Sequence, residues 1–342
     1  MKQRAYSIDF LKFILAIVII FHHYQYLTGA RFEGFNFYDG RVSFSYVVEF
    51  FFVLSGYVCA MSAGSLLKKS FGQYLLGKIK RLYPMVAITV VVNYLLEYWF
   101  KSIYGYWNNE PGLWKLLNSL TLTYHGWGTT DIGLGFNNPT WYLCVLMLCY
   151  IVLYFITWIA DRNNIDVRIL AGVVMLIGTG AVSYGVALPY LNAQSARGYA
   201  SFFLGYLLYH LYGRLKGSKP AIALACVVVL AVAFGGLKDP DLYWDNWWGI
   251  CTFMLIPAIV YLFLQVDGLF KPAIFRFLGD VSFEMYLWHV AGITLLLILD
   301  YYVGFTMAFS RKEMCLFTLA VIAFSCLMYQ FVEKNIQRLL KK

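Results

Sequence analysis

The chain has 342 residues, of which 61% are hydrophobic and only 13% charged, and its mean hydropathy is +0.65. Soluble domains carry about 25% charged residues, so a water-soluble globule is excluded and an integral membrane protein is expected. The net charge of +9 does not call for a nucleic-acid partner, because the basic residues fall between apolar runs, where membrane topology places them.

At roughly 20 residues per crossing, this length holds about ten membrane helices and leaves no room for a sizeable soluble domain. Apolar runs predict spans near 8–27, 45–62, 84–100, 141–159, 168–188, 198–212, 220–236, 248–266, 281–303 and 313–332. The expected fold is therefore an all-α, polytopic helix bundle forming one integral membrane domain over 1–342. The first run has a basic flank but passes into FHHYQYL without a small-residue cleavage site, so it is read as a retained helix. If the N-terminus is cytoplasmic, 18 basic residues lie inside and 8 outside, which with Lys12 accounts for all 27. This asymmetry predicts that both termini are cytoplasmic. The segment LWKLLNSLTLTYHGW, within 101–138, is too short and polar to span and is expected to re-enter or lie on the surface. All seven cysteines lie in apolar runs without CxxC or Cys/His spacing, so neither disulfides nor a metal site is expected.

The first span carries Asp9, Lys12, His22 and His23, and charges in hydrocarbon are costly enough to be functional hypotheses. At about 100° and 1.5 Å per residue, Lys12 and His23 return to within about 20° of one face, about 16 Å apart. His22 is predicted to point about 100° away from that face. A cation near one surface and an imidazole in the other half suit a long ligand threaded into the membrane. Glu49 opens the second run; it either pairs with Arg41 at the surface or faces a polar cavity. The loop KDPDLYWDNWWG, 238–249, mixes Tyr243, Trp244, Trp247 and Trp248 with Asp241, Asp245 and Asn246, which suits either an aromatic belt at the membrane surface or sugar binding.

Further patches follow in order: VVEFFFVLSGYV in the second span, KIKRLYP before the third, NNPTWYL opening the fourth, and LGDVSFEMYLWH in the ninth. With DFLK and His23 ahead of them, they resemble the acyltransferase family 3 proteins, membrane enzymes that move acyl groups from acyl-coenzyme A to sugars and other acceptors. The resemblance implies that Lys12 stands where the family commonly has arginine, ten intervening residues before the histidine matched by His23. Lysine keeps the charge without the bidentate fork. It further implies His23 and Glu49 as catalytic residues, Lys12, Lys78 and Arg81 as the site for the acyl-coenzyme A phosphates, and Ser55, Trp141 and His289 as substrate-binding residues. A glutamate that one branch of the family carries in the fourth span is replaced here by Leu146.

The resulting expectation is an O-acetyltransferase of the cell membrane, with acetyl-coenzyme A as donor substrate, no tightly bound cofactor, and a sugar or cell-surface glycan as acceptor. The competing reading is a transporter or flippase using Lys12, His23 and Glu49 as a pathway; inverted repeats or broken helices would mark it, and the sequence displays neither. Reporter fusions test the topology: those after Lys68, Lys216 and Lys342 are expected to report cytoplasm, those after Trp107 and Asp241 the outside. An outside signal at Lys216 overturns the ten-span scheme.

Overall fold

The computed structural model describes residues 4–40, 42–106, 110, 112–129, 135–238, 246–270 and 272–340. Among them, regular structure is helical apart from an isolated bridge between Leu188 and Leu191. The helices are α1 (Tyr6–Thr28), α2 (Val48–Ala60), α3 (Phe71–Tyr104), α4 (Leu113–Thr121), α5 (Trp141–Arg162), α6 (Val167–Ser183), α7 (Ala193–Leu215) and α8 (Lys219–Lys238). Two further rods contain a π turn: α9 (Trp247–Ile250) continues through Cys251–Leu255 into α10 (Ile256–Gln265), and α12 (Arg311–Leu327) through Met328–Glu333 into α13 (Lys334–Leu339). Between these rods lies α11 (Pro272–Tyr302).

A helix overlies each of the ten apolar runs. Five stretches among the described residues are long and apolar enough to cross a membrane: Tyr6–Thr28, Asn138–Arg162, Trp247–Gln265, Ala273–Tyr302 and Arg311–Leu339. The third helix differs from expectation. KIKRLYP is not a loop ahead of a span but part of α3, which starts at Phe71 behind a capping box of Ser70 and Gln73. Pro84 lies inside this helix. Proline cannot donate to the carbonyl four residues back, and the amide of Gln337 donates instead to the carbonyls of Lys80, at 3.3 Å, and Arg81, at 2.9 Å. The C-terminal segment thus repairs the ladder that the proline interrupts.

Small residues set the closest helix contacts. A Cβ on Gly56 would strike the backbone carbonyl of Phe202, and one on Gly205 would strike the backbone of Val53. The two glycines let the α2 and α7 backbones touch, as is common where lipid gives no hydrophobic drive between helices. Of the four glycines near α6, Gly178 abuts α7, with its would-be Cβ 2.7 Å from the Ala196 carbonyl, whereas Gly172, Gly180 and Gly185 face open space. Around this contact α1 packs on α11, α6 on α7, and α3 on α11.

Hydrogen bonds segregate the two ends of the bundle. At one end Arg4 reaches the carbonyl of Arg276, Tyr154 bonds the carbonyl of Lys69, and Gln337 bonds the carbonyl of Arg81. At the other Trp247 bonds the carbonyl of Ser43, Tyr104 that of Leu297, and Arg311 that of Glu33. The amphipathic α4 lies at this second end, with Leu113 and Trp114 exposed and Asn118 and Ser119 buried. Beyond it the chain turns inward, burying Tyr124 and His125.

The glycine contact yields a paired prediction. Gly56→Val drives a side chain into a backbone carbonyl and is expected to cost at the upper end of the roughly 1–3 kcal/mol typical of overpacking. Gly180→Ala, with room for its methyl, is expected to be neutral or to stabilise by about 0.5–1 kcal/mol. Apparent melting temperatures in detergent check both; an unchanged Gly56→Val protein contradicts the contact.

Candidate active site

A cavity of about 260 Å³ opens where the C-terminal half of α1 meets the starts of α2, α5 and α7. Its wall includes His22 and His23 from α1, Trp141 from α5, and Gln194 and Arg197 from α7. Ser45, His125, Asn138 and the rings of Tyr26, Tyr38, Phe44 and Tyr286 complete the polar and aromatic lining. Rings beside amides and a guanidinium offer stacking faces and hydrogen bonds together, the combination a polyhydroxylated ligand requires.

Among the described residues of this wall, Arg197 carries the one fixed charge. Its Nε donates to Glu49 Oε1 at 2.6 Å and its Nη1 to Gln194 Oε1 at 3.4 Å, and the guanidinium lies 5.1 Å from the ring centroids of both Trp141 and Tyr46. Glu49 is fully buried and also accepts from Trp248 Nε1 at 3.0 Å. The acid therefore stands behind the cavity and holds the cation that faces it. Trp248 has its indole N–H committed to Glu49, while Asp241, Tyr243, Trp244 and Asp245 lie outside the described residues.

His23, on this wall, meets the fully buried His289 behind it, with His23 Nδ1 3.3 Å from His289 Nε2. His23 Nδ1 also lies 3.1 Å from the carbonyl of Ile19, and His289 Nδ1 3.1 Å from that of Met285. His22 departs from the helical-face expectation. It too lines the cavity, because the loop after α1 folds back over it: its Nδ1 lies 2.9 Å from the Phe37 carbonyl and its ring packs edge-on to Tyr38.

The remaining expected site residues lie elsewhere. Lys12 Nζ bonds Asp9 Oδ1 at 2.7 Å, and the same carboxylate pairs with Arg4, which reaches Asp280 Oδ1 at 2.7 Å. Asp280 in turn accepts from Tyr329 at 2.8 Å. Lys78 sits 4.0 Å from the ring centroid of Tyr150 and 3.6 Å from Cys59 Sγ, and Arg81 is exposed on α3. Ser55 shares a 2.8 Å hydrogen bond with Tyr142. None of these four lines the cavity. The geometry thus joins His23, Glu49, Trp141 and His289 at one end and gathers Lys12, Lys78 and Arg81 toward the other.

Arg197, Gln194, Asn138 and His125 were not among the expected site residues. Arg197 carried a usable signal: it is the sole Lys or Arg between Arg168 and Arg214, so it had no basic cluster to explain it.

Residues 5–330 match the family model described as an acyltransferase domain. The match covers nearly the entire chain, which belongs to acyltransferase family 3 and is a membrane acyltransferase. No curated protein and no solved structure matches it.

The buried ion pair generates a stability prediction. Arg197→Met leaves the Glu49 carboxylate buried without its cation, a change expected to cost about 3–5 kcal/mol, whereas removing both charges in Arg197→Met/Glu49→Gln is expected to recover most of the loss. Thermal unfolding of the wild type, both single variants and the double variant in detergent forms the cycle; additive losses contradict a coupled pair.

Proposed function

We propose that this member of acyltransferase family 3 moves an acyl group, acetyl in the simplest case, from cytoplasmic acyl-coenzyme A to a hydroxyl of a sugar or cell-surface glycan at the outer face of the cell membrane. The observation that carries the reading is the shared cavity: an imidazole, a guanidinium and aromatic rings converge on one space of about 260 Å³. That volume falls just below the ~300–1,000 Å³ range of small-molecule sites, and it suits one sugar unit of a larger acceptor better than a buried chain. In this scheme the bundle crosses the membrane ten times with both termini inside, and the basic ends of α1 and α3 face the cytoplasm.

The donor binds through Arg81, Lys78 and Lys12. Arg81 contributes a guanidinium fork for phosphate, and Lys78 a compact charge held between aromatic rings. Lys12 is already paired with Asp9, so it tunes the entrance more than it anchors a phosphate alone. About 16 Å of α1 separates Lys12 from His23, a gap the extended pantetheine arm bridges.

At the cavity His23 Nε2 accepts the acceptor's hydroxyl proton as its oxygen bonds the thioester carbon. The carbonyl oxygen becomes an oxyanion beside the Arg197 guanidinium, which Glu49 fixes in place. When the intermediate collapses, the C–S bond breaks, and the departing coenzyme A thiolate takes the proton from His23. Trp141 supplies a stacking face for the acceptor, and Ser55 acts at one remove by holding Tyr142 against α2.

Membranes containing the protein, incubated with radiolabelled acetyl-coenzyme A and a cell-surface glycan extract, are expected to place covalent label on the glycan. His23→Ala is expected to cut the maximal rate about 10²- to 10⁴-fold, the usual contribution of a positioned base. Movement of glycan across the membrane without label supports the transporter reading instead and overturns this one.

A further inference from the structure

We infer that His289 is a positioning residue that presets His23 in the tautomer needed to accept a proton. This rests on the reading of His23 as the base and assigns the buried histidine a role within it. A backbone carbonyl only accepts, so the 3.1 Å contact of His289 Nδ1 with the Met285 carbonyl requires hydrogen on that nitrogen. Neutral His289 then carries a bare Nε2. That nitrogen lies 3.3 Å from His23 Nδ1, which must supply the proton of their hydrogen bond. The Ile19 carbonyl, 3.1 Å from the same His23 nitrogen, demands the same thing. Two independent acceptors therefore hold hydrogen on His23 Nδ1 and leave the lone pair on Nε2.

The reverse assignment fails physically. Hydrogen on His289 Nε2 would turn the His23 Nδ1 lone pair toward it and also toward the Ile19 carbonyl oxygen, placing two acceptors 3.1 Å apart. His289 is fully buried, so water does not compete for its Nε2. No carboxylate among the described residues hydrogen bonds to either imidazole.

The geometry gives His289 the place that a carboxylate takes in hydrolase triads, orienting the base and accepting from the cation it becomes. A neutral acceptor suits this site. A carboxylate there would need its own buried counter-charge, whereas the imidazole adds no net charge before the reaction. When His23 takes the hydroxyl proton on Nε2, its Nδ1–H bond to His289 strengthens into one between a cation and a neutral acceptor. The proton stays on His23 until the thiolate leaves.

Two readouts test this on the full-length protein in detergent or vesicles. In protein carrying ¹⁵N-histidine, with His23→Ala and His289→Phe used for assignment, the wild type is expected to show His23 protonated at Nδ1 and bare at Nε2. In radiolabelled acetyl-coenzyme A kinetics with the glycan extract, His289→Phe is expected to lower kcat roughly 10- to 100-fold, the scale of one hydrogen bond to a charged group, with KM for donor and acceptor unchanged. His289→Gln, whose amide oxygen accepts the same proton, is expected to recover most of that loss. A bare Nδ1 on wild-type His23, full kcat in His289→Phe, or equal losses in the Phe and Gln variants overturns the positioning role while leaving the His23 reading intact. Full activity in His23→Ala overturns that reading itself, and with it the role of His289.

Discussion

The backbone contact between α2 and α7 determines where the charged wall of the cavity stands. Both helices run in the same direction, and they touch where Gly56 meets Phe202 and Gly205 meets Val53. Glu49 lies seven residues before Gly56, and Arg197 eight before Gly205, so each charge sits about two turns, or 10–12 Å, above the glycine contact. Offsets that differ by one residue on parallel rods bring acid and guanidinium to nearly the same height, and a separation set by glycine lets their side chains meet at 2.6 Å. A larger residue at either glycine would part the helices and the ion pair together. The pair in turn orients the guanidinium against Trp141 and fixes one wall of the cavity.

The sequence resolves this bundle unevenly, for physical reasons. The apolar runs are legible as helices, and for the five long enough to cross a membrane hydrocarbon thickness imposes the length. His23 is legible because a helical repeat places it on the face of Lys12, and an imidazole in an apolar run stands out. The start of α3 is not legible. KIKRLYP reads as a basic loop closed by proline, yet it lies inside α3, where the carbonyl that Pro84 leaves without a donor is met by Gln337, 257 residues away from Lys80. Arg197 and its partner are separated by 148 residues and His23 from His289 by 266. Such pairings depend on how helices stack, which no local pattern encodes. His22 shows the opposite limit: its helical angle is as expected, yet a loop folding back over α1 makes that second face part of the same cavity.

The polar groups divide into two stations. At the basic end Arg4, Lys12, Asp9, Asp280 and Tyr329 form a closed chain in which every charge named has a partner. Asp9 and Lys12 look anomalous in an apolar span when read singly, yet together with Arg4 and Asp280 they satisfy one another. Lys12 therefore does structural work whatever else it does. Replacing it by a neutral residue would leave the buried Asp9 with Arg4 as its one remaining cation, so a loss of donor binding in such a variant has to be separated from a loss of stability.

At the cavity end charge balance has a chemical consequence. Arg197 is neutralised by Glu49 before any ligand arrives, and with His23 and His289 neutral, as the proposed mechanism requires, these four groups add no net charge to a low-dielectric interior. In the proposed mechanism, acyl transfer creates an oxyanion and an imidazolium at the same moment, and they appear side by side. The charges that must be stabilised are thus a transient pair within one cavity, not a lone anion brought in from water. A substrate carrying a permanent negative charge at the reacting centre would upset that balance, because its countercharge would have to come from the pair that already holds the wall together. Within the proposed mechanism, that balance is kept by a neutral hydroxyl as acceptor and a thioester carbonyl as the oxygen that meets Arg197.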